Sequence, residues 1–133
     1  MKTFVIAAAL SLASAAAVAS PVGEWATGDG SGRVKISQCG PALCGAVSGG
    51  ADRSAIDSNN PDPAKKKRRI LGMQILLGMR PAGANTWKGL IYNARNGQNY
   101  NATLTLQSER VLALQGCIQG GGVCGDQLWS RRR

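Results

Sequence analysis

The chain has 133 residues and no histidine, and its 16 basic and 7 acidic side chains give a formal net charge of +9. Lack of histidine removes the commonest general base and metal ligand, and with it most catalytic triads and zinc-hydrolase sites. The carboxylates are scattered over predicted turns and loops, and none pairs with another at the spacing that a glycosidase needs. We therefore expect a protein that is not an enzyme and that uses no cofactor or metal.

Residues 1–19 have the three parts of a secretory signal peptide. Lys2 supplies a positive charge, Phe4 to Val18 is almost wholly apolar, and Ala17-Val18-Ala19 fits a cleavage site. A membrane-spanning helix needs about 20 apolar residues, and this stretch is shorter and lacks a following stop-transfer pattern. We expect cleavage near Ala19 and a single periplasmic or secreted domain over residues 20–133, with a net charge of +8 once Lys2 is removed.

The four cysteines of the chain are Cys39, Cys44, Cys117 and Cys124. An even number in an oxidising compartment is typical of disulfides. Each sequential pair encloses turn residues between strand-like segments, and facing residues of an antiparallel hairpin are close enough to be bridged. The spacing therefore favours Cys39–Cys44 and Cys117–Cys124. Gaps of four and six residues fit a redox pair or a zinc site poorly.

The first part of the exported chain predicts a meander of three strands. Val22–Thr27 ends in a glycine-rich turn, and Arg33–Ser37 alternates polar and apolar residues, with Val34 and Ile36 facing inward. Leu43–Ser48 then returns after the first cysteine turn.

Residues 49–69 form a long polar loop with two prolines, and loops of this length are often functional or mobile. Its Asp57 and Asp62 are interpreted as solvated turn residues. The loop ends in a run of five basic residues, which by default is solvated. The sharper alternative is contact with anionic lipid or polysaccharide, and nucleic acid is not expected because no aromatic residues are interleaved. The run consists of Lys65, Lys66, Lys67, Arg68 and Arg69.

The second half of the chain predicts five more strands. Ile70–Met79 is a nearly continuous apolar run that periodicity cannot assign, but its two glycines argue against a helix. Thr86–Asn93 and Gln98–Gln107 flank Asn96-Gly97, a strong hairpin signal. Val111–Cys117 and Asp126–Arg131 complete the series.

About eight short strands at regular spacing, without a convincing amphipathic helix, indicate an all-β antiparallel barrel or sandwich. An eight-stranded barrel is either filled by side chains or able to hold one small ligand. Five large residues could serve either as core or as the lining of a ligand site, and the sequence leaves both interpretations open. They are Met73, Met79, Trp87, Tyr92 and Tyr100.

A set of short motifs, in order along the chain, resembles the bacterial domain of unknown function 2147 family. The motifs are Gly23-x-Trp25, Cys39-Gly-x-x-Leu-Cys44-Gly45, Asn60-Pro-Asp-Pro63, Gly72-x-x-Ile-Leu-x-Gly78, Ile91-Tyr-Asn93, Gly97-x-x-Tyr100 and Gly116-Cys117. The resemblance implies a secreted, lipocalin-like β-barrel of no settled activity. Gly-x-Trp near the start and Trp129-Ser-Arg131 near the end also look like the calycin pattern, in which Trp25 would pack under Arg131 and close the base of the barrel.

Taken together, the sequence predicts a non-enzymatic binding module for a small apolar or amphipathic molecule. The alternative is a cell-envelope protein that contacts anionic surface polymers or a protein partner through its basic loop. The two differ in the part of the molecule that binds, which is the barrel interior in the first case and the loop of residues 49–69 in the second.

Overall fold

A computed structural model describes residues 20–133, which form a closed antiparallel barrel of eight strands. Each strand pairs with its neighbours in sequence, and the first pairs with the last. The predicted lipocalin-like all-β fold is confirmed, whereas the predicted signal peptide lies outside the described residues. The strands are β1 (Gly23–Ala26), β2 (Arg33–Cys39), β3 (Ala42–Gly49), β4 (Gln74–Pro81), β5 (Thr86–Asn93), β6 (Gln98–Ser108), β7 (Val111–Ile118) and β8 (Cys124–Arg131).

Helical structure within residues 20–133 is limited to one short 3-10 turn, Pro63–Lys65, in the loop between β3 and β4. No helix in this part of the chain is long and apolar enough to cross a membrane. The barrel therefore has two ends made of loops. We call the end with the long β3–β4 loop the mouth, and the opposite end, with the chain termini of the domain, the base.

The apolar run Ile70–Met79 is a strand only from Gln74 onward, which corrects the predicted start. Gly72 has a φ of +89°, and the Met73 amide donates to the Ile70 carbonyl, so the first four residues form a turn. The Gly72 amide also donates to the carbonyl of Val47 on β3, at 2.8 Å. The residues are apolar because the turn lies against the barrel, and burial alone does not distinguish a packed turn from a strand.

Large side chains fill the base of the barrel. On β6 and β7 the inward positions are successive cross-strand pairs, Leu106 opposite Leu112 and Leu104 opposite Leu114. Trp129 on β8 continues the first of these rows beyond Leu112, and all five side chains are buried. Full burial of a side chain of this size stabilises the fold by about 1.5–3 kcal/mol. The base is thus the main apolar core.

Trp25 and Arg131 close the base, as the resemblance implied. The guanidinium carbon of Arg131 lies 4.4 Å from the centroid of the Trp25 ring, which is fully buried. The same guanidinium donates to the carbonyls of Ser20 and Val22 at 2.6 and 2.8 Å, and the Trp25 indole donates to the Pro21 carbonyl at 2.8 Å. The segment before β1 is therefore folded under the barrel.

Both disulfides have the predicted pairing. Cys39–Cys44 joins β2 to β3 at the base, and Cys117–Cys124 joins β7 to β8 at the mouth. Each links strands that already pair directly, with Cα atoms 5.8 and 4.0 Å apart. Their role is to fix the ends of two hairpins.

The contact between the first and last strands is short. Trp25 faces Arg131 and Ala26 faces Ser130, and these are the two residue pairs that join β1 to β8. Toward the mouth, β8 continues for six more residues, from Cys124 to Trp129, beside the turn that follows β1. In that turn the Gly28 amide donates to the Gln127 side chain at 3.2 Å. In the described part of the chain, the half of β8 nearer the mouth therefore has no strand paired to it on the β1 side.

Candidate functional site

A cavity of about 850 Å³ opens at the mouth. It lies above the filled base, and Trp129 forms part of its floor. Most of the side chains that line its deeper part are apolar. They include Val34, Val47, Ile70, Met73, Ile75, Ile91 and Leu114. Binding sites for small molecules are typically lined in this way and measure about 300–1,000 Å³.

Small residues at one level of the barrel make room for the cavity above the filled base. Ala102 on β6 faces Gly116 on β7, which in turn faces Gly125 on β8. These positions point inward, because they lie two residues from the buried Leu104, Leu114 and the inward Gln127. Gly116 and Gly125 line the cavity, and Ala102, next in the row, is buried in the core cluster at its edge, so three neighbouring strands contribute little side-chain volume at this level. Since the level below is filled by leucines, the row of small residues sets the height at which the core ends.

Three of the five predicted ligand residues border the cavity, namely Met73, Tyr92 and Tyr100. Met79 does not, because it is fully buried in the core cluster of the base, and Trp87 packs against that same cluster. The sequence could not tell which level of the barrel each of the five occupies, and their role in binding a ligand stays a prediction. The Tyr100 hydroxyl accepts a hydrogen bond from the Asn96 amide group in the hairpin above it.

Charged and apolar side chains share the rim of the cavity. Arg33 and Arg95 carry positive charge there, and Asp29 and Asp126 carry negative charge. Asp29 accepts hydrogen bonds from the Ser31 amide and hydroxyl, and these lower the pKa of its carboxyl group below the ordinary value.

The second polar feature near the mouth is a buried carboxylate, Asp57, in the β3–β4 loop. The Tyr92 hydroxyl donates to its Oδ1 at 2.6 Å, and the Asn60 amide donates to its Oδ2 at 2.9 Å. Arg68 completes the set with a guanidinium nitrogen 3.3 Å from Oδ2. We call these four residues the Asp57 cluster. The interpretation of Asp57 as a solvated turn residue was wrong, because its side chain is fully buried.

Within the Asp57 cluster the pKa of the Asp57 carboxyl group is lowered and the pKa of the Tyr92 hydroxyl group is raised. Burial by itself raises the pKa of Asp57, but the hydrogen bonds from Tyr92, Asn60 and Arg68 and the charge of Arg68 outweigh burial, so the pKa lies below the ordinary 3.8. Burial, the hydrogen bond to Asp57 and the negative charge of Asp57 raise the pKa of Tyr92 to about 12. At neutral pH the cluster therefore contains a carboxylate and a neutral phenol.

The cluster ties the long loop to the barrel wall, and a neighbouring contact strengthens this tie. The Asn59 side chain donates to the carbonyls of Ala94 and Arg95 in the β5–β6 hairpin, at 3.2 and 3.0 Å. Gly97 in the same hairpin has a φ of +72°, and a Cβ added there would lie 1.9 Å from the Asn59 carbonyl oxygen. Only glycine satisfies both the turn and this close approach.

The five basic residues at the end of the loop fall into two groups. Arg68 is committed to Asp57, and the Lys66 ammonium donates to the Ser58 carbonyl at 3.3 Å. The other three are exposed, and their side chains form no ion pair or hydrogen bond with residues 20–133. They are Lys65, Lys67 and Arg69. Within the described chain, two residues of the basic run therefore support the loop structure, and the other three present unpaired positive charge to solvent.

The architecture, an eight-stranded antiparallel barrel with a filled base and an open mouth, is that of a lipocalin-like barrel. Residues 23–131 match the family described as an uncharacterized protein conserved in bacteria, DUF2147. The chain belongs to this family, which confirms the resemblance seen in the sequence.

Among solved structures, the chain is similar to protein HP1028 from the human pathogen Helicobacter pylori, described as belonging to the lipocalin family. The TM-score is 0.75 at 18% sequence identity, over 84% of this chain and 82% of the other. At this identity the similarity shows the fold alone. Comparison with curated proteins gives no match.

Proposed function

We propose that this protein is a non-enzymatic binding module that holds a small apolar or amphipathic molecule in the cavity at the mouth. The observation that carries the proposal is the pair of facing glycines, Gly116 and Gly125, which line the cavity above a leucine-filled base. A barrel whose only task was to be stable would gain about 0.8 kcal/mol for each methylene group that filled this space. The protein is therefore less stable than a filled barrel would be, and the space left open is the size of a binding site.

The polar groups near the cavity support binding rather than catalysis. Asp57 is already saturated by Tyr92, Asn60 and Arg68, so no free general base stands there. Within residues 20–133, no group of three or more Cys, Asp and Glu side chains could hold a metal ion. The cavity offers shape and apolar surface, with charges at its rim that could orient the polar end of an amphipathic ligand.

Export to the periplasm or the medium, after cleavage near Ala19, belongs to the same proposal. Two disulfides are consistent with an oxidising compartment. The signal peptide predicted over residues 1–19 supports the same proposal.

The test is a substitution that fills the cavity without disturbing the backbone. In Gly116→Leu the first added atom would lie 3.8 Å from Ile91 and 3.9 Å from Tyr100, which are ordinary contacts. Gln115→Leu is the matched control, because it adds the same side chain at the next, outward-facing position. We expect the natural protein and the control to bind a fluorescent apolar probe such as N-phenyl-1-naphthylamine, and Gly116→Leu to bind it at least about tenfold more weakly.

Native mass spectrometry of protein purified from its own host provides a second measurement. A bound molecule should be present in the natural protein and absent from Gly116→Leu. Equal probe binding by Gly116→Leu and Gln115→Leu would refute the cavity as the binding site.

A second candidate function is contact with anionic polymers of the cell envelope through the basic loop. It is favoured by the free, exposed side chains of Lys65, Lys67 and Arg69. This function would not need the cavity, so Gly116→Leu would leave it unchanged.

A further inference from the structure

We infer that the mouth of the barrel docks on a lipid bilayer that contains anionic lipids, and that the cavity ligand is taken up from that bilayer. The inference rests on the proposed binding function and adds the surface from which the ligand comes. Two observations carry it, and both concern the same end of the molecule: free positive charge and exposed apolar side chains.

The positive charge is concentrated in the β3–β4 loop, in which residues 50–73 contain six basic and three acidic residues. Of the acidic ones, Asp57 is buried and paired with Arg68, and Asp52 and Asp62 are exposed and keep their charge, so six basic and three acidic residues give the loop a net charge of +3. Lys65, Lys67 and Arg69 extend from this loop with no partner in residues 20–133. The Asn59 contacts hold the loop against the β5–β6 hairpin. At the cavity rim Arg33 and Arg95 are balanced by Asp29 and Asp126, so the net positive charge of the mouth comes from the loop.

Apolar side chains are exposed at the same end. Five large hydrophobic residues are exposed in the described chain, and three of them lie at the mouth: Ile56, Ile118 and Val123. Val123 is 67% exposed and precedes Cys124 directly, and its carbonyl accepts a hydrogen bond from the Ile118 amide across the β7–β8 turn. Ile118 and Val123 also line the cavity, so the apolar surface continues from the rim into the interior.

A bilayer with anionic lipids matches this combination. Its headgroups attract cations near the surface, and its acyl region accepts apolar tips. A soluble anionic polymer would satisfy the cations but would leave Ile56 and Val123 in water. Because the cavity opens at the same end of the barrel as these apolar and basic side chains, docking through that end would place its entrance against the lipid, where an apolar ligand is dissolved.

The experiment uses the exported, oxidised protein and measures its partition onto vesicles by sedimentation. One set of vesicles is phosphatidylcholine alone, and the other includes about three parts in ten of phosphatidylglycerol, to give an anionic surface. Two variants remove the proposed contacts. They are Lys65→Gln with Lys67→Gln and Arg69→Gln, and Ile56→Ser with Val123→Ser.

Each variant has a matched control elsewhere on the barrel. For the charges, the control is Arg110→Gln with Arg132→Gln and Arg133→Gln, which removes three exposed cations from the base. For the apolar tips, the control is Val22→Ser with Leu128→Ser, the two exposed hydrophobic residues that lie away from the mouth loops.

We expect the natural protein to bind the anionic vesicles, and more weakly as salt is raised. Loss of the three loop cations should weaken this binding about a hundredfold, roughly fivefold for each charge. Loss of the two apolar tips should weaken it about tenfold or more. The base controls should stay within about twofold of the natural protein, since their side chains face away from the membrane.

Uptake is then measured with N-phenyl-1-naphthylamine loaded into the vesicles. Gly116→Leu should dock like the natural protein yet fail to take up the probe, which separates the docking surface from the cavity. If the natural protein binds the probe in solution but ignores both kinds of vesicle, the docking inference fails and the proposed function stands. If it binds vesicles but never the probe, the proposed function fails instead.

Two further outcomes would overturn the docking inference. Equal losses in the loop variant and the base control would show attraction by net charge alone. A loss in the loop variant with no loss in the tip variant, together with equal binding to a soluble polyanion such as polyglutamate, would assign the loop to anionic polymers and not to a bilayer.

Discussion

The base and the mouth of this barrel are built from the same strands but held together by different forces. At the base, Leu104, Leu112 and Trp129 interlock and exclude water. At the mouth the same strands carry Ala102, Gly116 and Gly125, and a polar cluster around Asp57 holds the covering loop outside the wall. The difference shows that a fold can place a packed core and an open cavity at opposite ends of one strand, simply by changing side-chain size every second residue.

The largest expected effect on stability comes from comparing substitutions at two positions on β7, one at the base and one at the rim. Leu112→Ala at the base should lower the free energy of unfolding by about 3 kcal/mol, because it removes buried methylene groups and leaves a cavity. Ile118→Ala at the rim should lower it by less than about 1 kcal/mol, because the side chain is already 45% exposed. Urea unfolding of both variants provides the measurement, and equal losses would contradict the division into a packed base and an open mouth.

The next test concerns the Asp57 cluster, which should make the mouth sensitive to acid. Asp57→Asn removes the charge that three donors surround, and we expect a loss of about 2 kcal/mol at pH 7. The pKa of Asp57 is lowered in the folded state, so its stabilising effect is present above pH 3.8 and is lost as the pH falls through the folded pKa. The natural protein and the variant should therefore become equally stable at low pH.

Tyr92 offers a check of the same cluster at the alkaline side. Its pKa is raised from 10.0 to about 12, so its contribution to stability is complete below pH 10 and is lost as the pH rises through 12. Absorbance at the tyrosinate band should show a tyrosine titration delayed beyond pH 10 in the natural protein and absent from the unfolded chain. In Tyr92→Phe this delayed titration should disappear, and its persistence would assign it to another group.

Disulfide removal should affect the two ends alike in stability but differently in mobility. Each bridge closes a short loop, and the chain-entropy relation gives about 2–2.5 kcal/mol for either one. Replacing Cys117 and Cys124 by serine should speed hydrogen exchange at the mouth, where little packing surrounds the hairpin. The same change at Cys39 and Cys44 should leave exchange at the base slow, since buried neighbours still hold it.

The smallest expected effect is at the contact that closes the base. Arg131→Lys keeps the charge but loses the planar fork that stacks on Trp25 and reaches Ser20 and Val22. We expect a loss of about 1–2 kcal/mol by urea unfolding. A double-mutant cycle with Trp25→Phe should show coupling between the two sites, and strict additivity would mean that their contact contributes little.

Much of the fold follows from local patterns in the sequence. Thr86–Asn93 is a strand with the bounds that alternation indicated, and Asn96-Gly97 lies in the connection to β6. The disulfide pairing could be predicted because each bridge lies within one hairpin, so it depended on no distant contact. The start of β4 could not, since the turn of Ile70 to Met73 is as apolar as the strand after it.

The site was harder to predict than the fold, because its parts depend on register across strands. Ala102, Gly116 and Gly125 form a row only after β6, β7 and β8 have paired, and nothing in their separate segments indicates this. Asp57 lies in a polar stretch and gave no sign of burial on its own. The one available signal was the Asn60-Pro-Asp-Pro63 motif, whose first residue donates to that carboxylate.

Neither sulfur bridge spans the junction where the cylinder closes. Both connect strands that are neighbours in the chain, so no covalent bond joins β1 to β8. The ring is completed by the pairing of Trp25 and Ala26 with β8 and by hydrogen bonds on either side of that pairing. Both disulfides lie within hairpins, whereas the β1–β8 seam is held by noncovalent contacts alone. The barrel can therefore open at this seam while both disulfides stay intact. Unfolding under force applied to the N-terminal side should therefore begin at β1, in reduced and oxidised protein alike.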